Sequence, residues 1–236
     1  MKTIKTPCGL INCEITYKRI KRINLRAKPD GVLYISAPFG VSERYLQKLI
    51  LENCEKIKSD IDSIVNADKA KNEKEAEAEK NFYYLGRKYP VRHIKSTAVK
   101  AELSEEGVTV FAPDELTAKA ALKDLSVSLA KKVFVEAYDE IFPLIPKDNL
   151  PPKIKITIKE MKTRWGSCTP DNGHISLNLA LIKYPCGCTR YVVLHELAHF
   201  FHRNHSKDFY AFVEKYMRDY KKYEGILKKP YYEVTL

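Results

Sequence analysis

The chain has 236 residues, enough to bury a sizeable core in one large domain or two modest ones. Hydrophobic residues make up 44% and charged residues 30%, the balance of a globular protein, and no apolar run approaches the roughly 18 residues of a membrane span. The formal charge is +11, and the stretch MKTIKTPCGLINCEITYKRIKRI is basic without an apolar core, which argues against a secretory signal and makes the cytoplasm the expected compartment.

Much of the positive excess lies early: Lys2, Lys5, Lys18, Arg19, Lys21, Arg22, Arg26 and Lys28 stand against the single acid Glu14. Such a stripe is either a solvated strand face or a region that concentrates nucleotides, nucleic acid or acidic peptides. In LRAKPDGVLYISAP a Pro-Asp-Gly turn separates two alternating segments, which reads as a hairpin. Ser42 is placed to cap one amphipathic helix, with Leu46, Leu49, Ile50, Ile57, Ile61, Ile64 and Val65 at the 3.6-residue period. Residues 66 to 80, NADKAKNEKEAEAEK, hold no large apolar side chain, so they form a solvated helical extension or a mobile connector.

Strands are expected again in FYYLGRKYPVRHIK and GVTVFAP, followed by a long helix over PDELTAKAALKDLSVSLAKKVFVEAYDEIFPLI. PKDNLPP ends it, and the period switches to two in KIKITIK, where Ile154, Ile156 and Ile158 share a face. HISLNLALI is a further strand, with Ile175, Leu177 and Leu179 on one side. TRYVVLHELAHFF is then a helix for which Thr189 is the candidate cap, and SKDFYAFVEKYMRDY closes the chain with helical spacing. The fold class is α+β: residues 1–113 form a β-rich N-terminal region with one long helix and a charged connector, and residues 114–236 form the second domain. Among the six cysteines, Cys186 and Cys188 are too close for the usual zinc pair, and all six read as ordinary reduced thiols.

HELAHFFHRNH, residues 195 to 205, carries four of the six histidines. His195 and His199, four apart, leave one helix face a turn apart and can converge on one ion, with Glu196 beside the first. His202 lies seven residues beyond His195, roughly 10.5 Å along a continuing helix, too far to join a tetrahedral site. A third ligand therefore comes from chain that has turned back. Asn204 is the candidate left-handed residue of that turn, Ser206 the candidate cap of the next helix, and His205, between them, is favoured over His202.

MKTRWGSCTPDNGHISLNLALI followed by YVVLHELAHFFHRNHSKDFYAFV closely resembles the YgjP-like family of metal-dependent hydrolases with a zinc-metallopeptidase fold. KPDGVLYISAP and YYLGRKYPV extend the likeness into the N-terminal half. The resemblance implies a zincin-like arrangement of backing helix, small sheet, HExxH helix and closing helix. It makes His195, His199 and His205 the zinc ligands and Glu196 the catalytic carboxylate, in agreement with the spacing argument. The family is related at its active site to SprT-like proteases. The interval from His199 to His205 equals that of metzincins, but His202 stands where their turn glycine would be.

The expected activity is zinc-dependent hydrolysis of a peptide or protein substrate, with Glu196 as general base. Arg164 is a candidate for oxyanion or carboxylate binding, or for a structural hydrogen bond. Trp165 reads as packing. Two alternatives accompany this reading: metal-dependent hydrolysis of a nucleotide phosphoanhydride, and a nucleic-acid-associated protein whose metal is structural.

Overall fold

Alternation of apolar and polar residues in the first forty positions builds a four-stranded sheet in the computed structural model, which describes residues 1–234. Strands β1 (Lys2–Thr6), β2 (Gly9–Lys18), β3 (Asn24–Ala27) and β4 (Leu33–Pro38) lie in the order β1-β2-β4-β3. The expected hairpin is the antiparallel β3/β4 pair, whereas β2 and β4 run parallel. Ile11, Cys13, Leu33, Ile35 and Ala37 form one core with Leu46, Ile50, Ile57 and Ile61 of helices α1 (Glu43–Glu52) and α2 (Cys54–Glu79). Ser42 caps α1 as anticipated, accepting from the Tyr45 amide.

The single helix expected here is broken at Asn53, whose side-chain amide donates to the Leu49 carbonyl at 2.9 Å. An asparagine that bonds its own backbone competes with the helix ladder, and apolar periodicity does not register it. Of the two options for residues 66 to 80, the structure takes the helical extension: α2 continues to Glu79, largely exposed, with the Lys71–Glu75 pair one turn apart.

The chain divides into two compact units, Met1–Glu77 and Ala78–Leu236. The second opens with a sheet of order β5-β6-β8-β7, formed by β5 (Asn81–Tyr84), β6 (Arg87–Lys95), β7 (Lys100–Leu103) and β8 (Val108–Ala112). Phe82, Val108, Val110 and Ala112 pack on Ala118 and Ala121 of α3 (Glu115–Ile141), which Asp114 caps through the Thr117 amide. Farther along α3, Ala130, Val133, Phe134, Ala137 and Ile141 belong to the largest core of the molecule. One helix thus serves the sheet of residues 81–112 and the elements that carry the histidines. The β5–β6 turn adds a second link, since Leu85, at φ 50°, donates its amide to the Ile182 carbonyl at 2.7 Å.

Strands β9 (Lys155–Lys159), β10 (Gly166–Thr169) and β11 (His174–Asn178) form a three-stranded sheet of order β10-β11-β9. The last strand is shorter than expected. It stops at Asn178, whose side chain accepts from the Ala180 amide and turns residues 179–183 into a 3-10 helix, so Leu179 does not continue the face of Ile175 and Leu177. Helix α4 (Cys186–Ala198) crosses beneath, followed by α5 (Lys207–Tyr216) and α6 (Tyr220–Leu227). Leu194, Leu197 and Ala198 are fully buried, and α4 is covered on nearly every side, the character of a central helix. Each such leucine contributes about 1.5–3 kcal/mol through burial.

Thr189 is not the cap of α4. The helix starts a turn earlier, behind Pro185, and Thr189 lies inside it with a buried hydroxyl that has no hydrogen-bond partner among the described residues. Gly187 sets the crossing with α6, because a Cβ there would run into the Tyr223 ring. Among the described residues, no helix is long and apolar enough to cross a membrane.

Candidate metal centre

Because α4 is covered on nearly every side, its buried polar residues are costly unless they serve a purpose. His195 and Glu196 lie in its last turn and His199 caps its end. The chain then leaves the helix and returns to place His205 immediately before Ser206, which caps α5 by accepting from the Phe209 amide. The turn is made without a left-handed residue: among the described residues only Leu85 is a non-glycine with positive φ. Instead the Ser206 amide donates to the Asn204 carbonyl at 2.8 Å. The expected role of Ser206 holds, and that of Asn204 is replaced by a tighter turn.

One ligand atom from each of His195, His199 and His205 lies within 4.8 Å of the others. Their ring centroids are 5.1, 4.9 and 4.8 Å apart, a nearly equilateral triangle. Phe209, fully buried, supports it from α5, with its ring 4.8 to 4.9 Å from all three imidazoles. The Nε2 atoms of His195 and His205 approach to 2.9 Å. The Nδ1 of His199 lies 3.2 Å from the His202 carbonyl. A carbonyl only accepts, so Nδ1 carries the proton and the Nε2 lone pair is free for a metal. His202 thus holds the His199 ring through its backbone carbonyl, while its own ring packs on Phe212.

Protonation favours the same role. Burial, reinforced by the neighbouring imidazoles, lowers the His195 pKa to about 3, and burial also lowers that of His199. Both are neutral imidazoles at physiological pH, the form that ligates a cation. Three converging imidazoles, one of them with a tautomer fixed by the backbone, fit a divalent metal.

Glu196 points into the same cleft, a hollow of about 690 Å³ bordered by the three histidines, Tyr191, and the segment from Arg164 to Cys168. It is only 4% exposed; burial raises its pKa to about 8, and the Arg164 guanidinium draws it partly back. Arg164 and Trp165 both border the cleft, and Trp165 also packs edge-on against Tyr184, so it combines lining with packing.

The wall opposite α4 is held by Asn178. Its amide nitrogen donates to the carbonyls of Met161 and Arg164, each at 2.8 Å, while its oxygen accepts from the amides of Ala180 and Met161. Three of these four bonds tie down the loop that leads into β10, and the fourth turns the chain after β11. Gly166, the first residue of β10, then meets the carboxylate directly: a Cβ there would stand 2.5 Å from Glu196 Oε1. Neither Gly166 nor Phe209 was singled out by reasoning on the sequence. Their only local signals are the motifs RWGSC and NHSKDF, and their roles depend on contacts across the fold.

A model of the YgjP-like metallopeptidase domain matches residues 21–230. The chain belongs to the YgjP-like family. The match spans both compact units and assigns this YgjP-like protein, in general terms, to the metal-dependent peptidases. Among solved structures it is similar to the metallopeptidase zymogen abylysin of Pyrococcus abyssi. That alignment has a TM-score of 0.32 and 24% identity, and covers 42% of this chain and 90% of that one. It is also similar to the metallopeptidase zymogen jannalysin of Methanocaldococcus jannaschii, at TM-score 0.33 and 23% identity, over 42% of this chain and 92% of that one. No curated protein matches the chain significantly.

Proposed function

We propose that this YgjP-like protein is a zinc-dependent peptidase with zincin-like architecture: α3 backs the three-stranded sheet, α4 carries His195, Glu196 and His199, and α5 and α6 close the fold. One observation carries the proposal. Three imidazoles converge beside a buried carboxylate that lines the same cleft and is not among the converging ligand atoms. Zinc held by His195, His199 and His205 would supply a Lewis acid that polarises a carbonyl and brings the pKa of water toward about 7.

The remaining chemistry belongs to the chain. A Glu196 carboxylate oxygen takes the proton from the attacking water and returns it to the leaving amine nitrogen. Arg164 offers guanidinium donors to the developing oxyanion or to a carboxylate on the substrate. β10 is an edge strand and its residues border the cleft, so an extended peptide can pair along its free side. KIKITIK, as β9, forms the opposite edge of the same sheet.

The test combines metal analysis with turnover of wild type and Glu196→Gln on a peptide library and on a nucleotide panel. Peptide cleavage by the zinc-loaded wild type, lost in a variant that still binds zinc, supports the proposal. Phosphate release without peptide cleavage would replace the substrate class. Undiminished cleavage by Glu196→Gln would remove its assigned role.

A further inference from the structure

The sheet of the first unit has one face against α1 and α2 and another that no element of that unit covers among the described residues. Strand periodicity assigns the uncovered side chains: Thr3 and Lys5 on β1, Leu10, Asn12, Glu14, Thr16 and Lys18 on β2, Asn24 and Arg26 on β3, Tyr34, Ser36 and Pro38 on β4. Lys28 extends over the Tyr34 ring, 3.5 Å from its centroid. At one end of this face, the loop from β2 to β3 adds the exposed Arg19, Lys21 and Arg22. Cations therefore crowd a surface whose other side chains are mostly hydroxyl and amide groups, with Leu10 and Pro38 toward its ends and Glu14 its lone acid apart from Asp30, which accepts from the Tyr34 hydroxyl.

The cations are also unpaired, unlike many others in the molecule. Lys48, Lys58, Lys71, Lys119 and Lys228 each face a carboxylate one turn away on their own helices. Among the described residues, Lys18, Arg19, Lys21, Arg22 and Arg26 have no ion pair. Mutual repulsion across such a face is relieved by a partner that brings regularly spaced negative charge.

We infer that this face is a nucleic-acid docking surface, which holds the sugar–phosphate backbone through Lys18, Arg19, Lys21, Arg22 and Arg26 without reading bases. The phosphodiester backbone fits because it brings one charge per nucleotide in a continuous row, and Thr16, Asn24 and Ser36 beside the cations add neutral hydrogen-bonding groups for phosphate oxygens. The inference stands apart from the peptidase reading, since none of these residues borders the cleft.

The experiment measures binding of the full chain to fluorescent single strands of about 20 nucleotides, RNA and DNA, across a salt series. A backbone-bound complex has a log–log salt slope of about −3.5 for about five contacts. Arg19→Ala/Lys21→Ala/Arg22→Ala, checked for an unchanged melting temperature, should weaken binding at least tenfold and make the slope shallower by about 2. A control with the same loss of charge elsewhere, Lys88→Ala/Lys131→Ala/Lys132→Ala, should change it little. Glu14→Gln should tighten binding by about twofold to fivefold, an effect misfolding cannot mimic. Equal weakening by the two triple variants, absence of saturable binding at about 50 mM salt, or polyglutamate competing as well as nucleic acid would overturn the inference; the last result would make the partner an acidic protein.

Discussion

Gly166 lies against Glu196 so closely that a single added methyl would sit 2.5 Å from Oε1 and 2.9 Å from Cδ. These residues come from different elements, a strand edge and the central helix, and the contact sets where the carboxylate can stand. Gly166→Ala is therefore expected to displace Glu196 and leave the three imidazoles, which are held by α4, α5 and Phe209. Turnover should fall by about 10²-fold while zinc affinity changes less than threefold, since a 1 Å misplacement near the chemistry costs that much. Parallel loss of zinc and activity would show that the strand supports the metal site instead.

Asn178 secures the same wall through its four hydrogen bonds. Asn178→Asp keeps the shape but sets carboxylate oxygens against the Met161 and Arg164 carbonyls. A loss of about 2–4 kcal/mol is expected in denaturant unfolding, in line with buried groups left unsatisfied. A variant as stable as wild type would mean that the loop holds its shape without the clamp.

Thr189 supplies a prediction of opposite sign. Its buried hydroxyl has no partner among the described residues, so Thr189→Val replaces an unsatisfied polar atom with a methyl of similar size. Stability should rise by about 1 kcal/mol, read as a higher melting temperature. Destabilisation would reveal a bond that the hydroxyl makes in solution.

How much of this was legible beforehand follows from the range over which each feature is encoded. The helical spacing of His195 and His199, the Ser42 and Ser206 caps, and the hairpin around Pro29–Asp30 are written within a few residues, and all are present. The break at Asn53, the early start of α4 and the end of β11 at Asn178 were missed. In each, a side chain or proline competes locally with a periodicity that continues past it. Gly166 and Gly187 are harder still. Their importance is the proximity of Glu196 and Tyr223, and nothing adjacent in the chain encodes those neighbours.

Metal-free protein should carry a pH signature of the site. Glu196 has its pKa raised from 4.5 to about 8, so the fold favours the protonated carboxyl, and stability is lost as pH rises from 4.5 through about 8. His195 has its pKa lowered from 6.5 to about 3, so the fold favours the neutral ring, and stability is lost as pH falls from 6.5 toward about 3. These two groups together leave the metal-free chain most stable between 4.5 and 6.5. Glu196→Gln should flatten the alkaline limb and spare the acid limb. An unchanged alkaline limb in thermal melts would refute this assignment.

Zinc should counter the cost of holding these groups buried. Addition at about a thousandfold excess over its dissociation constant is expected to stabilise the fold by about 4 kcal/mol, and His205→Ala should abolish most of that gain. An equal gain in the variant would place the stabilising ion elsewhere.

X-ray absorption at the zinc edge of the loaded protein tests the centre most directly. The expected result is one zinc per chain with three histidine nitrogens at about 2.0–2.1 Å, unaltered by Glu196→Gln. Sulfur scattering near about 2.3 Å, or a coordination shell that changes in that variant, would contradict a site built from His195, His199 and His205 with Glu196 left free.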